Sequence, residues 1–270
     1  MEHNVNSWFM PILTVLAVVV AIGLAFMGSG ALGGTPISQA ADGALSADAT
    51  PFAPAGPAFS IWSVIYAGLF GYAIYQLLPA QRHGSRHAER HAGLRPWAIL
   101  AALLNAAWIG VVQAGSVWGS VVVILVLLVV LIRIVMILRK TRTHTKTDAL
   151  LTDGTFGLYL GWVCVATTAN IAAWVATFGV DTFPGWQWAA VAILAVVMII
   201  GLGLAVYSRG RIAPALAICW GVTWLAIARM EGQYESPIIV WAAFIVAAIV
   251  LVATIVIRFV TERKTSRTTW

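Results

Sequence analysis

The chain has 270 residues, 61% of them hydrophobic and 10% charged, with a formal net charge of +6 and a mean hydropathy of +0.91. Uncharged runs of about 20 residues recur along it, the length at which a helix crosses a bilayer, so a soluble two-domain protein is excluded. The basic residues lie between these runs rather than on one face, which reads as membrane topology and excludes a nucleic-acid surface.

The first predicted helix, Pro11 to about Met27, follows a stretch that carries Glu2 and no Lys or Arg. It lacks the basic start of a secretory signal and reads as a retained span, with cleavage near Gly30 as the minor alternative. Residues 34–58 form a long Gly-, Ala- and Pro-rich connection (Pro36, Pro51, Pro54, Pro57) charged only at Asp42 and Asp48. Nothing in it favours a helix, and a loop this apolar is expected to lie over the helix ends as a lid.

Helix two, about Ala58 to Leu78, carries Phe59, Trp62 and Tyr66 on one face. Arg82, Arg86, Arg90 and Arg95 follow with His83, His87 and His91, read as a solvated basic loop because no Cys or carboxylate set completes a metal site. Helix three, about Trp97 to Gln113, holds Asn105 and Trp108, and a short turn leads into the aliphatic helix four, about Val117 to Leu138, a lipid-facing scaffold whose Arg133 snorkels toward its end. Helix five contains WVCVATTANIAAW, in which Trp162, Ala166, Asn170 and Trp174 recur every four residues as one stripe. An amide at bilayer depth needs partners, so this stripe faces protein, water or a ligand, with helix-helix packing as the competing explanation. Helices six (about Gly185 to Tyr207), seven (about Pro214 to Ala228) and eight (about Pro237 to Ile257) complete the chain. Cys164 and Cys219 fall inside predicted spans, so neither a disulfide framework nor a zinc site is indicated. Gly157 with Gly161, and Gly115 with Gly119, allow close helix contacts within a chain or in a homodimer.

The residues FAPAGPAFSIWSVIY (Phe52 to Tyr66), LLNAAW (Leu103 to Trp108) and WVCVATTANIAAW (Trp162 to Trp174) resemble the tryptophan-rich sensory protein family, the TspO and peripheral benzodiazepine receptor group. The resemblance covers residues from about 10 to 178 and implies a five-helix membrane bundle with a long loop after its first helix. The chain departs from the family where Phe59 stands three residues before Trp62 rather than four, and where the paired prolines are spread over Pro54 and Pro57. No Tyr and Arg follow Asn170, so sterol binding is not carried over. The expected fold is therefore an all-α integral membrane protein of about eight transmembrane helices. Residues 1–178 form the five-helix bundle, 179–260 three additional spans, and 261–270 a basic cytoplasmic tail.

The resemblance implies tetrapyrrole binding, and a flat apolar ligand with polar edges suits the aromatic and amide stripes. The expected ligand-binding residues are Phe59, Trp62, Tyr66, Asn105, Trp108, Trp162, Ala166, Asn170 and Trp174, in a cavity between helices two, three and five beneath the loop. No catalytic or metal-ligating residue and no obligatory cofactor are expected, with porphyrin or haem as the candidate ligand. Axial ligation of iron is not expected, since no His is read within a span. A transporter of such ligands and an enzyme that degrades porphyrin oxidatively stay open as alternatives. The expected partners are the lipid bilayer and a hydrophobic small molecule, with no nucleic acid, in a bacterial plasma membrane.

Lys and Arg cluster after helices two, four, six and eight, which places both termini and the loops around Arg86, Arg142 and Arg209 on the cytoplasmic side. Reporter fusions at residues 45 and 90 are expected to report opposite sides of the membrane, and the same side for both would overturn this topology.

Overall fold

The computed structural model describes residues 8–28, 35–82, 86–141, 145–180 and 182–267; His83, Arg142 and the residues around Gly30 lie outside them. Within a bilayer only structures that satisfy their own backbone are stable, and the long elements here are helices. They are α1 (Phe9–Gly28), α2 (Ile61–Tyr75), α3 (Arg86–Gln113), α4 (Val117–Lys140), α5 (Thr155–Ala176), α6 (Trp186–Tyr207), α7 (Ile212–Ala228) and α8 (Pro237–Arg267). Among the described residues seven helical stretches are long and apolar enough to cross a membrane, and α7, with 17 residues, is shorter. The protein is thus an all-α integral membrane protein. Contacts divide it into two compact units, Met1–Ile37 with Trp62–Phe156 and Ser38–Ile61 with Gly157–Trp270.

In the first unit α3 packs against α1 and α4. The α3–α4 turn works because Gly115 takes a positive φ of 77° and the Ser116 hydroxyl caps α4 by accepting from the Gly119 N–H at 3.3 Å. Gly28 lets α1 approach the Ile109 side chain, and Gln113 Nε2 ties the end of α1 down by donating to the carbonyls of Gly28 (3.2 Å) and Thr35 (2.8 Å). Helix α4 buries Ile124, Leu131 and Leu138 on one face and exposes Val122, Val126 and Val129 on the other, as an aliphatic scaffold should.

The basic stretch after α2 differs from the solvated loop expected. Helix α3 begins at Arg86, so His87 and His91 belong to it, and Arg82, Arg90, His91 and Arg95 are buried. The physical reason lies in the carbonyls that the end of α2 and the turn after it leave over. Arg95 Nε donates to Gln76 Oε1 at 2.7 Å and its Nη2 to the carbonyls of Gln76 (3.2 Å) and Gln81 (2.8 Å), while Arg82 Nε donates to the Leu77 carbonyl at 2.8 Å. Arg82 also lies over the Trp8 ring, 3.5 Å from its centroid.

Arg90 enters a second network with carboxylates from a π-helical segment, Ala149–Gly154, and the short turn before it. Its Nε stands 3.3 Å from Asp148 Oδ2, its Nη2 donates to Asp153 Oδ2 at 2.5 Å, and its Nη1 donates to the Thr141 carbonyl at 2.6 Å. His91 Nε2 lies 3.3 Å from Asp148 Oδ1, which also accepts from the Thr152 hydroxyl at 2.7 Å. The Arg90 and Asp148 side chains are 1% and 0% exposed, so neither charge has water to fall back on.

In the second unit α6, α7 and α8 pack on one another around Leu194, Val197, Ile218, Leu225, Ile239 and Val250. Glycines set the close approaches. A Cβ on Gly157 or Gly161 of α5 would meet Pro214, with Ala213 or Ala217 of α7 beside it, and one on Gly201 of α6 would meet Val250 of α8. The Gly157 and Gly161 pair is therefore used inside the chain.

Removing one member of a buried ion network leaves the other charge uncompensated, which costs on the order of 3–5 kcal/mol. Asp148→Ala is expected to lower unfolding stability in detergent by about that much. A loss indistinguishable from that of an exposed substitution such as Val129→Ala would show that water reaches Arg90.

Candidate functional site

The nine residues singled out from the sequence fall into two groups, one in each unit. In the first unit, Trp62 and Tyr66 lie one turn apart on α2 with their rings stacked, 5.2 Å between centroids and 20° between planes. The Tyr66 hydroxyl donates to Asn105 Oδ1 of α3 at 3.1 Å. Asn105 is 2% exposed and Trp108, a turn later on the same helix, is also buried. Trp62 and Tyr66 are half-buried. The arrangement gives a flat aromatic surface whose hydroxyl is oriented by a buried amide, a geometry suited to a planar ligand with polar edges.

In the second unit, Phe59 sits in the 3-10 turn Gly56–Ser60 and meets the buried Trp162 edge to face at 6.0 Å. Asn170 is buried and its Nδ2 donates to the Ala166 carbonyl one turn back, at 2.9 Å, so one amide donor is met within α5. Ala166 is half-buried, and Trp174 reaches the exposed end of the stripe, where it packs edge-on to Phe178 at 5.7 Å.

The same unit holds the long connection between α1 and α2, and α7 pins it. Arg229, just past the end of α7 and 1% exposed, donates through Nη1 to the Thr50 carbonyl and through Nη2 to the Ala53 carbonyl, both at 3.3 Å. Its guanidinium lies 5.4 Å from the Tyr234 ring centroid. Burial pulls its pKa below the usual arginine value, and the nearby Asp48 charge opposes that shift. Trp220 Nε1 donates to the Ala58 carbonyl at 2.8 Å, and the Ala55 N–H donates to the Trp224 carbonyl at 3.2 Å. Positive φ at Ala41, Asp42 and Gly43 lets the chain reverse in a short 3-10 turn where the sequence suggested no helical structure.

Sequence reasoning missed Arg229, although a signal was present. It is the exception among connections on that side that otherwise lack Lys and Arg, and an Arg at a span end has to be partnered or solvated. The Arg90 cluster was missed as well, because its carboxylates lie far downstream. Among the described residues no group of three or more His, Cys, Asp or Glu is placed to hold a metal ion.

A cavity of 390 Å³ lies in the second unit between the C-terminal half of α5, the N-terminal half of α6 and residues 50–52 of the loop. None of the nine residues lines it. Its α5 wall is Thr168, Ile171, Ala172 and Val175, while Ala166, Asn170 and Trp174 project from the other side of the same helix, since residues two apart are about 200° apart around the axis.

Compared with known proteins, residues 11–256 match the sequence profile of the family described as TSPO-like protein. The match takes in α6 and α7 and most of α8, beyond the residues that carried the motif-by-motif resemblance. No curated protein and no solved structure gives a significant match.

Hydrogen bonds from a charged donor contribute about 1.5–3 kcal/mol each, so Arg229→Ala is expected to release residues 41–55. Limited proteolysis of that segment should accelerate at least tenfold while cleavage after α8 keeps its rate. An unchanged pattern would mean that the Trp220 and Trp224 contacts hold the loop without the arginine.

Proposed function

We propose, since the chain belongs to the TSPO-like protein family, that it is a membrane-embedded binding and sensory protein for tetrapyrroles or similar flat hydrophobic ligands. The observation that carries the reading is the Trp62–Tyr66 stack with its hydroxyl donated to buried Asn105. A planar macrocycle can stack on such a surface and lose water from both faces, while a positioned hydroxyl and amide meet its polar edge. Trp108, buried one turn beyond Asn105 on α3, is the fourth member of this set. Phe59, Trp162, Ala166, Asn170 and Trp174 form the second set proposed to take part, with Ala166 the small side chain whose enlargement takes up ligand space.

Binding is preferred over catalysis because neither residue set contains a nucleophile with an adjacent base or an acid-base pair. It is preferred over transport because the buried charges described above are paired near helix ends rather than at the middle of a span.

Titration of the purified protein with protoporphyrin and with haem, followed by tryptophan quenching, is expected to give saturable binding. Trp62→Ala should weaken it ten- to a hundredfold, corresponding to a lost stacking contact of about 1–3 kcal/mol, and Ala166→Leu should weaken it without unfolding the protein. Unchanged porphyrin affinity in both folded variants would reduce these residues to packing.

A further inference from the structure

The cavity between α5 and α6 is built differently from the aromatic surfaces described above. Small side chains, Ala172 and Ala176 on α5 facing Ala189 and Ala190 on α6, leave the gap, and Phe183 and Trp186 border its shallow end. Among the described residues no charged side chain lines it. Its two hydroxyls are already committed to the backbone. Thr168 Oγ1 donates to the Val165 carbonyl at 2.7 Å, and Thr50 Oγ1 accepts from the Phe52 N–H at 3.3 Å. A water molecule there would lack the two to four polar partners that hold buried water in place.

The dimensions narrow the occupant further. From Trp186 to Val196 the α6 wall runs ten residues, about 15 Å at 1.5 Å per residue. That equals about half of the 30 Å hydrocarbon core, the depth one lipid tail covers. A gap of this length with so apolar a lining accommodates an extended alkyl chain lying along the helices.

The mouth supplies the remaining argument. Ile171, Val175 and Val196 on its rim are exposed apolar residues of α5 and α6, with exposed Phe183 in the connection between them, and an exposed apolar rim on two spanning helices faces hydrocarbon. An apolar void beside lipid forfeits dispersion contacts along its walls until a chain fills it, and the bilayer supplies that chain without any cost of leaving water. We propose that the slot is a site for one acyl chain of a membrane phospholipid, its carboxyl end near Phe183 and its methyl end near Thr168 and Val196. The site stands apart from the tetrapyrrole reading and does not depend on it.

The test is photo-crosslinking of the full-length protein in phosphatidylcholine nanodiscs, with a diazirine placed near the carboxyl end, at mid-chain or near the methyl end of one acyl chain. In the wild-type protein the shallow probe should label peptides at Val180 and Phe183, and the terminal probe Thr168 and Val196. Ala172→Leu with Ala189→Leu should cut this labelling about tenfold, a change of about 1.4 kcal/mol in occupancy, while labelling of Val122 and Val129 on α4 holds as the measure of ordinary lipid contact. Elution and thermal unfolding of the double variant establish that it folds; if it does not, the depth order in the wild-type protein decides. Labelling without depth order, or unchanged in the folded variant, would overturn the proposal. Labelling by a diazirine fatty acid but not by the phospholipid would overturn it in favour of a free fatty acid, and loss of label on adding protoporphyrin would place the flat ligand in the slot instead.

Discussion

A polar group inside a bilayer has no water to turn to, and this constraint decides where every buried polar side chain in the protein can sit. Backbone demand is met by helices. Side-chain demand is met at a few places. Arg82 and Arg95 take up carbonyls at the end of α2 and in the turn after it, Arg90 binds Asp148 and Asp153, Arg229 holds the carbonyls of the α1–α2 loop, and Tyr66 binds Asn105. Buried ion pairs are weak evidence of net stability, because desolvation offsets most of their attraction, but they tolerate few alternative arrangements. They therefore specify which segments meet, while the apolar surfaces supply most of the contact area.

The spans were legible because hydropathy measures the quantity that the bilayer selects. The α4 start at Val117 and the α6 start at Trp186 fall close to the expected positions, since Gly, Ser and Pro punctuate the chain just before them. The start of α3 was not legible. Its Arg and His residues have the composition of a solvated loop, and what buries them is supplied by Gln76, Thr141, Asp148 and Asp153, none of them adjacent in sequence. A pattern confined to one window contains no information about such partners.

Within the candidate site the division is similar. The α2 and α5 stripes could be read from spacing alone, and so could the need of Asn105 and Asn170 for partners. What each amide binds could not be read. Asn105 accepts from a tyrosine on another helix, whereas Asn170 donates to its own helix one turn back. The alanines that open the slot gave no signal at all, because a small residue marks close packing as often as a gap. Gly161 lies tight against Pro214, while Ala172 borders a void.

The anchoring of the α1–α2 loop has a consequence for how the protein is made. Thr50 waits for Arg229 across 179 residues, and Ala58 for Trp220 across 162. At ordinary synthesis rates of roughly 5–20 residues per second, that separation is a delay on the order of ten seconds or more. Through that interval the first connection is already outside the ribosome while α7, which fixes its course, has yet to be translated. The next-to-last helix is thus the one that completes the segment following the first, and a chain cut short before α7 carries every residue of the loop without the Arg229 and Trp220 contacts at Thr50, Ala53 and Ala58.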